Sequence, residues 1–191
     1  MQVKVRNIEI AASLPTPSWD RNTPKIRKGW ELLGWGGGRA AYLGPDGLVY
    51  KKSRSIYGPE QNQNEAEASV RLRKSRKLPE WCYIPKVYYA DWVDVIVTEF
   101  MGRADGWEQC GQEGSCIRTD CVERGIRIVD AWEDWNGWMR HYHCTCGLPV
   151  ECWQDRMTKL EDWGLSDLHA GNIRVLRGQD DYKLAVIDLG L

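Results

Sequence analysis

The stretch from Trp163 to Leu176 reads WGLSDLHAGNIRVL, and QDDYKLAVIDL follows it from Gln179. A helical pattern runs into a short polar loop, and the loop runs into two apolar runs, IRVLRG and QDDYKLAVIDL, that predict a hairpin. Such a hairpin returns Asp188 beside the loop that carries Asp167 and Asn172. One carboxylate, one amide and a second carboxylate then share one place. Oxygen donors of this kind suit magnesium, which keeps water and bridges substrate phosphates. Asp167 would orient or deprotonate an attacking hydroxyl, which requires only hydrogen-bond reach.

The rest of the chain must hold that loop. At 191 residues it suffices for one large domain or two small lobes. Hydrophobic residues make up 42% and charged residues 28%, which points to a folded globular protein. With 26 Lys and Arg against 27 Asp and Glu, no overall attraction to nucleic acid or anionic lipid is expected. The basic run RLRKSRK, Arg71 to Lys77, reads as a solvated helix end that could still touch phosphate. MQVKVRNIEI alternates charge with short aliphatics, and no stretch reaches membrane-spanning length, so a cytoplasmic protein is expected.

The first half predicts a five-stranded sheet with one helix. Glu31 to Trp35 leads into Gly34, Gly36, Gly37 and Gly38; RAAYLG, the turn GPDG at Gly44 to Gly47, and LVYKK form a hairpin. PEQNQNEAEASVRLRK, Pro59 to Lys74, predicts a helix with proline in its first turn. IPKVYYADW and VDVIVTEFM follow as strands. After Met101 the chain turns Gly-rich and polar. Ile128, Trp132, Trp135 and Met139 then repeat at helical spacing, as do Trp153, Met157, Leu160 and Trp163, which predicts two further helices. Glycines between two strands let backbone N–H groups approach phosphates, and Lys51, on the next strand, is a point charge for phosphate oxygens that a helix carboxylate can hold in place.

Taken together, the glycine turn, V-Y-K at Val49 to Lys51, a helix Glu, T-E-F-M, D-L-H-A-G-N and D-L-G resemble the protein-kinase-like superfamily in order and spacing. The likeness spans Gly34 to Gly190. It is nearest to small bacteriophage-encoded kinase-like proteins, with a D-L-H-A-G-N loop of the aminoglycoside-phosphotransferase type. The resemblance implies an α+β, bilobal fold: a β-rich nucleotide-binding lobe over residues 1–101 and a truncated helical lobe over residues 102–191. It implies ATP and Mg²⁺ between the lobes, Lys51 as the strand lysine, Asp167 as the catalytic-loop Asp, and Asn172 and Asp188 as metal ligands. Thr98 matches the gatekeeper, with Glu99 to Met101 as the adenine-contacting hinge. Glu65 is the helix carboxylate preferred from GPEQNQNE, with Glu67 its competitor; the two cannot face the same way.

Departures from the pattern shape the expected function. Leu165 and Ser166 stand where that superfamily carries His and Arg; Arg39 stands at the last glycine of G-x-G-x-x-G and is expected to be solvated or near phosphate. The sequence stops one residue beyond D-L-G, so no peptide-binding platform is expected. The leading reading is a minimal phosphotransferase acting on a hydroxyl of a small molecule or protein. The alternative is a catalytically weak pseudokinase that binds a partner, such as a host protein or a second copy. His169 is expected to hold the loop's shape. Seven cysteines without a signal peptide read as free thiols or a metal site. Zn²⁺ at Cys110, Cys116, Cys121, His141, His143, Cys144 and Cys146 is weighed against plain buried thiols, because paired C-x-x-C knuckles are missing.

Overall fold

The computed structural model describes residues 3–17, 25–75, 78–91, 93–102, 132–133, 139–140, 150–165, 172–177 and 182–189. They fall into two compact units, one built from Met1–Leu78 and Ile84–Met101, the other from Pro79–Tyr83 and the residues between Gly102 and Leu189. Both mix helix with largely antiparallel sheet.

Strict alternation organises the first unit. Strands β1 (Glu31–Trp35), β2 (Arg39–Leu43), β3 (Leu48–Ser53), β5 (Val87–Ala90) and β6 (Val95–Glu99) form an antiparallel sheet of order β1-β2-β3-β6-β5. Successive side chains on a strand point to opposite faces. Ala40, Tyr42, Leu48, Tyr50, Val95 and Val97 therefore line one face, where they pack with Trp30, Ala11 and Leu14. Helix α1 (Val5–Ser13) lies against β3 and β6 over this face. The turn residue Asp46 ties the layers together. Its Oδ2 accepts hydrogen bonds from Asn7 Nδ2 at 2.8 Å and from the hydroxyl of fully buried Tyr50 at 2.8 Å. Chain leaving α1 is strapped to the sheet: Lys52 Nζ donates to the Leu14 carbonyl (2.8 Å), the Tyr42 hydroxyl to Pro15, and Arg54 Nη2 to Pro17 (2.9 Å).

The opposite face carries Lys51, Ile96 and Thr98, since β3 and β6 pair Lys51 with Ile96 and Val49 with Thr98. Helix α2 (Gly58–Lys74) packs against β3, β5 and β6, with Asn62, Glu65, Ala66, Ala68, Ser69 and Leu72 buried. Its mean hydropathy is low because buried polar groups do part of the docking. Ser69 Oγ donates to the Pro85 carbonyl (2.8 Å) and Arg73 Nη1 to Ile84 (2.6 Å). Arg73 stays exposed, like Arg71 and Lys74, while it anchors the helix end. The helix starts at glycine for a steric reason. A Cβ on Gly58 would stand 2.7 Å from the Gly38 carbonyl oxygen and 2.7 Å from Ser53 Cα, so the helix start packs backbone to backbone.

In the second unit, helix α3 (Val150–Asp162) ends in a Schellman motif. Gly164, at φ +81°, donates its N–H to Glu161, while Leu165 N–H reaches back to Leu160. Both leucines are buried, which anchors the end of the helix. Trp163 stacks on Trp81 with centroids 6.4 Å apart, and the Arg156 guanidinium sits 4.9 Å over the Trp81 ring. Strands β9 (Ile173–Arg177) and β10 (Tyr182–Val186) form the predicted hairpin, and β4 (Cys82–Tyr83) adds in parallel to β10.

One expected helix is replaced. Within the stripe Ile128, Trp132, Trp135 and Met139, strand β7 (Trp132–Glu133) pairs antiparallel with β8 (Met139–Arg140). The sequence between them contains Asn136-Gly137, a dipeptide that favours the tight left-handed turn of a hairpin, and aromatic residues suit its strands.

Two measurements check this packing. Asp46→Ala removes the acceptor of a fully buried tyrosine hydroxyl and is expected to cost about 2 kcal/mol in urea unfolding. Burial pushes the Cys82 thiol up to about 12, against an unfolded value of about 8.5. Above the unfolded value the folded chain keeps a proton that the unfolded chain loses, so this group erodes stability between about pH 8.5 and 12 and contributes no pH dependence below that window. Iodoacetamide at pH 8 should leave Cys82 unmodified in the folded protein and label it in urea, as read by peptide mapping.

Candidate functional site

The glycine turn between β1 and β2 is closed by a hydrogen bond from Gly36 N–H to the Arg39 carbonyl at 2.9 Å. Gly34, Gly36 and Gly37 have no heavy atom within 4 Å of where a Cβ would stand, so a ligand can approach their backbone directly. Gly38 differs: it is buried, and its missing Cβ leaves room for the Gln61 side chain. Arg54 accounts for two of the turn's carbonyls, its N–H donating to Gly38 (2.8 Å) and its Nη1 to Gly36 (2.6 Å).

Lys51 lies at the buried centre of β3, 7% exposed. Its ammonium donates to both carboxylate oxygens of Glu65, at 2.6 Å and 2.7 Å, and Glu65 is 3% exposed. The period of the helix decides between the two sequence candidates. Glu65 shares a face with Asn62 and Ser69, whereas Glu67 is two residues away, exposed, and accepts from Gln63 Nε2 at 2.9 Å.

Arg39 is a correction to the sequence reading. Instead of lying in solvent it is 8% exposed, and its guanidinium donates to Glu65 Oε2 at 2.7 Å. The same nitrogen reaches the Gln61 carbonyl at 3.2 Å and Asn62 Oδ1 at 3.4 Å. Alternation along β2 was the missed signal: Ala40 and Tyr42 face the α1 side, so Arg39 must face the side of Lys51.

Thr98 is buried on that same face, two residues along β6 from the strand partner of Lys51. Glu99 closes the end of β6: its N–H donates to the Lys86 carbonyl at 2.9 Å, and its carboxylate accepts from Lys86 N–H at 3.2 Å. Met101 is half-buried, and Gly102 follows in the left-handed region at φ +86°.

In the second unit, Asn172 directly precedes β9 and Asp188 lies two residues beyond β10. Ile173 pairs with Val186, and Ile187 N–H donates to the Asn172 carbonyl at 2.8 Å, which brings both residues to the same end of the hairpin. Asn172 is buried and Asp188 half-buried. Asp167 and His169 lie outside the described residues, as do Cys110, Cys116, Cys121, His141, His143, Cys144 and Cys146. Among the described residues no group of three His, Cys, Asp or Glu side chains is placed to hold a metal. An amide oxygen and a carboxylate are nonetheless donors of the hard type that magnesium takes, with water completing its shell. No described helix is long and apolar enough to cross a membrane.

No family model matches the chain, and no curated protein sequence does. Among solved structures, the whole chain aligns with 72% of a chain from the ternary complex of streptomycin, ATP and APH(2")-IIa, at 14% identity and a TM-score of 0.39. At that identity and score the likeness assigns no residue of this chain a role.

Glu65 is the residue on which the buried cluster depends. Glu65→Ala leaves two buried cations without their carboxylate and is expected to cost about 3–5 kcal/mol in chemical unfolding. Glu67→Ala should stay within about 0.5 kcal/mol of the parent.

Proposed function

We propose that this chain is a kinase-like phosphotransferase that binds ATP with Mg²⁺ and passes a phosphate to a hydroxyl acceptor. One observation carries the reading: a buried lysine ammonium held by both oxygens of a helix carboxylate, on the strand that follows a glycine turn. That arrangement holds the Lys51 ammonium in one place, ready for phosphate oxygens, without the freedom a surface lysine has. The motif order from Gly34 to Gly190 supports the same reading.

In this mechanism residues 1–101 form the nucleotide lobe and residues 102–191 the lobe of the catalytic loop. Lys51 grips the non-transferring phosphates and Glu65 holds its ammonium. Backbone N–H groups of Gly34, Gly36, Gly37 and Gly38 approach the phosphates. Thr98, Glu99 and Met101 border the adenine. Asn172 and Asp188 would hold Mg²⁺, which would supply positive charge against the phosphate oxygens. Asp167 positions the acceptor hydroxyl and takes its proton as the new phosphorus–oxygen bond forms and the bond to the departing ADP breaks. The acceptor is a hydroxyl of a small molecule or protein.

A second reading, a nucleotide-binding interaction module with weak catalysis, is favoured by Leu165. It is a buried apolar residue where the kinase pattern carries a polar His.

Millimolar Mg²⁺-ATP is expected to raise the melting temperature by several degrees, because a ligand of the native state stabilises it. The absence of any shift would remove both readings. Radiolabel release or autophosphorylation from ATP should fall about 10²-fold or more in Asp167→Ala while the thermal shift persists. Parent-level transfer by Asp167→Ala would leave the interaction module as the better account.

A further inference from the structure

We infer that Arg39 is a positioning residue of the nucleotide site: it fixes the rotamer of Glu65, and through it the place of the Lys51 ammonium, before any nucleotide arrives. The inference rests on the phosphotransferase reading for its consequence and on geometry for its content. A glutamate on a helix has several staggered rotamers, and a single lysine on a flexible stem can follow its carboxylate through more than one of them. A guanidinium is a planar, rigid donor. Arg39 Nη1 contacts Glu65 Oε2 at 2.7 Å and the carbonyl of Gln61, one turn earlier on α2, at 3.2 Å. One planar group anchored on β2 therefore grips both the backbone of α2 and the end of the Glu65 side chain.

The location of Arg39 adds a second link. It is the first residue of β2 after the glycine turn, and its carbonyl closes that turn by accepting from Gly36 at 2.9 Å. The conformation of the turn and the position of the carboxylate are thus set through one residue. Arg39 is buried, so water competes little with these bonds. In this chain α2 is held in its docked register by a side chain of the sheet, with no further event required to bring Glu65 to Lys51.

Acylation of lysine amines by N-acetoxysuccinimide in the full-length protein tests this, because a paired, buried ammonium is shielded. Fragmentation mass spectrometry separates Lys51 from Lys52, which serves as internal reference. Arg39→Met should raise the Lys51 rate about tenfold relative to Lys52. Glu65→Gln should raise it as much, and the double variant no further than Glu65→Gln alone, since Arg39 acts through Glu65. An Arg39→Met rate within twofold of the parent overturns the inference. So does a double variant in which the two effects multiply, which would give Arg39 a merely structural role. If Arg39→Met does not fold, Arg39→Lys replaces it: a cation without the planar fork should raise the rate about threefold, and no rise overturns the inference. Calorimetric titration with Mg²⁺-ATP runs in parallel, with affinity expected to fall about tenfold in Arg39→Met and an unchanged affinity counting against the inference. A parent that binds no nucleotide would sink the phosphotransferase reading, while the acylation rates would still decide the role of Arg39.

Discussion

A carboxylate taken out of water is tolerable only when cations come with it, and this constraint fixes how the first unit is put together. Burying Glu65 alone would cost several kcal/mol, more than most single contacts return. The helix can dock on its sheet only in the register that brings Glu65 to Lys51 and Arg39. Such an ion cluster is a weak source of net stability, because desolvation cancels much of the attraction. What it supplies is uniqueness. A helix whose buried face is mostly Ala, Ser and Asn could slide along an apolar sheet; one with a charged anchor cannot. The backbone contact between Gly58 and the Gly38 carbonyl requires the same register, so electrostatics and sterics agree on one position.

Much of this was readable before any coordinates. Short apolar runs within Arg39–Leu43, Leu48–Ser53 and Val95–Glu99, with Gly and Pro between them, specify strands and turns through local geometry. Helix α2 announces itself by Pro59 and a run of helix formers, and α3 by its apolar spacing. Glu65 emerged from the same motif order that singled out Lys51. These features are local, and local rules reach them.

What escaped depends on partners distant in sequence. Helix α1 buries only Asn7 and Ala11 of its own residues, and its place is set by Asp46, thirty-nine residues from Asn7. Strand β4 is two residues long and exists because β10 offers an edge. Arg39 looked like a surface cation because charge is normally solvated, and only its pairing with a carboxylate twenty-six residues away makes burial tolerable. Trp132 and Met139 fit a helical period, yet Trp132–Glu133 and Met139–Arg140 pair as antiparallel strands. Asp167, central to the proposed chemistry, rests on its motif, since it lies outside the described residues.

The segment that follows α1 carries a practical lesson for anyone preparing shortened forms of the protein. Leu14, Pro15 and Pro17 are held by Lys52, Tyr42 and Arg54, and the last of these also grips the glycine turn. Trimming the first seventeen residues as a dispensable leader would expose Tyr42, Tyr50 and Val97 on an open sheet face and unfasten one hand of Arg54. Aggregation and a slackened turn would then arrive together, and a defect in nucleotide handling could be blamed on chemistry when its origin was an ill-chosen start codon.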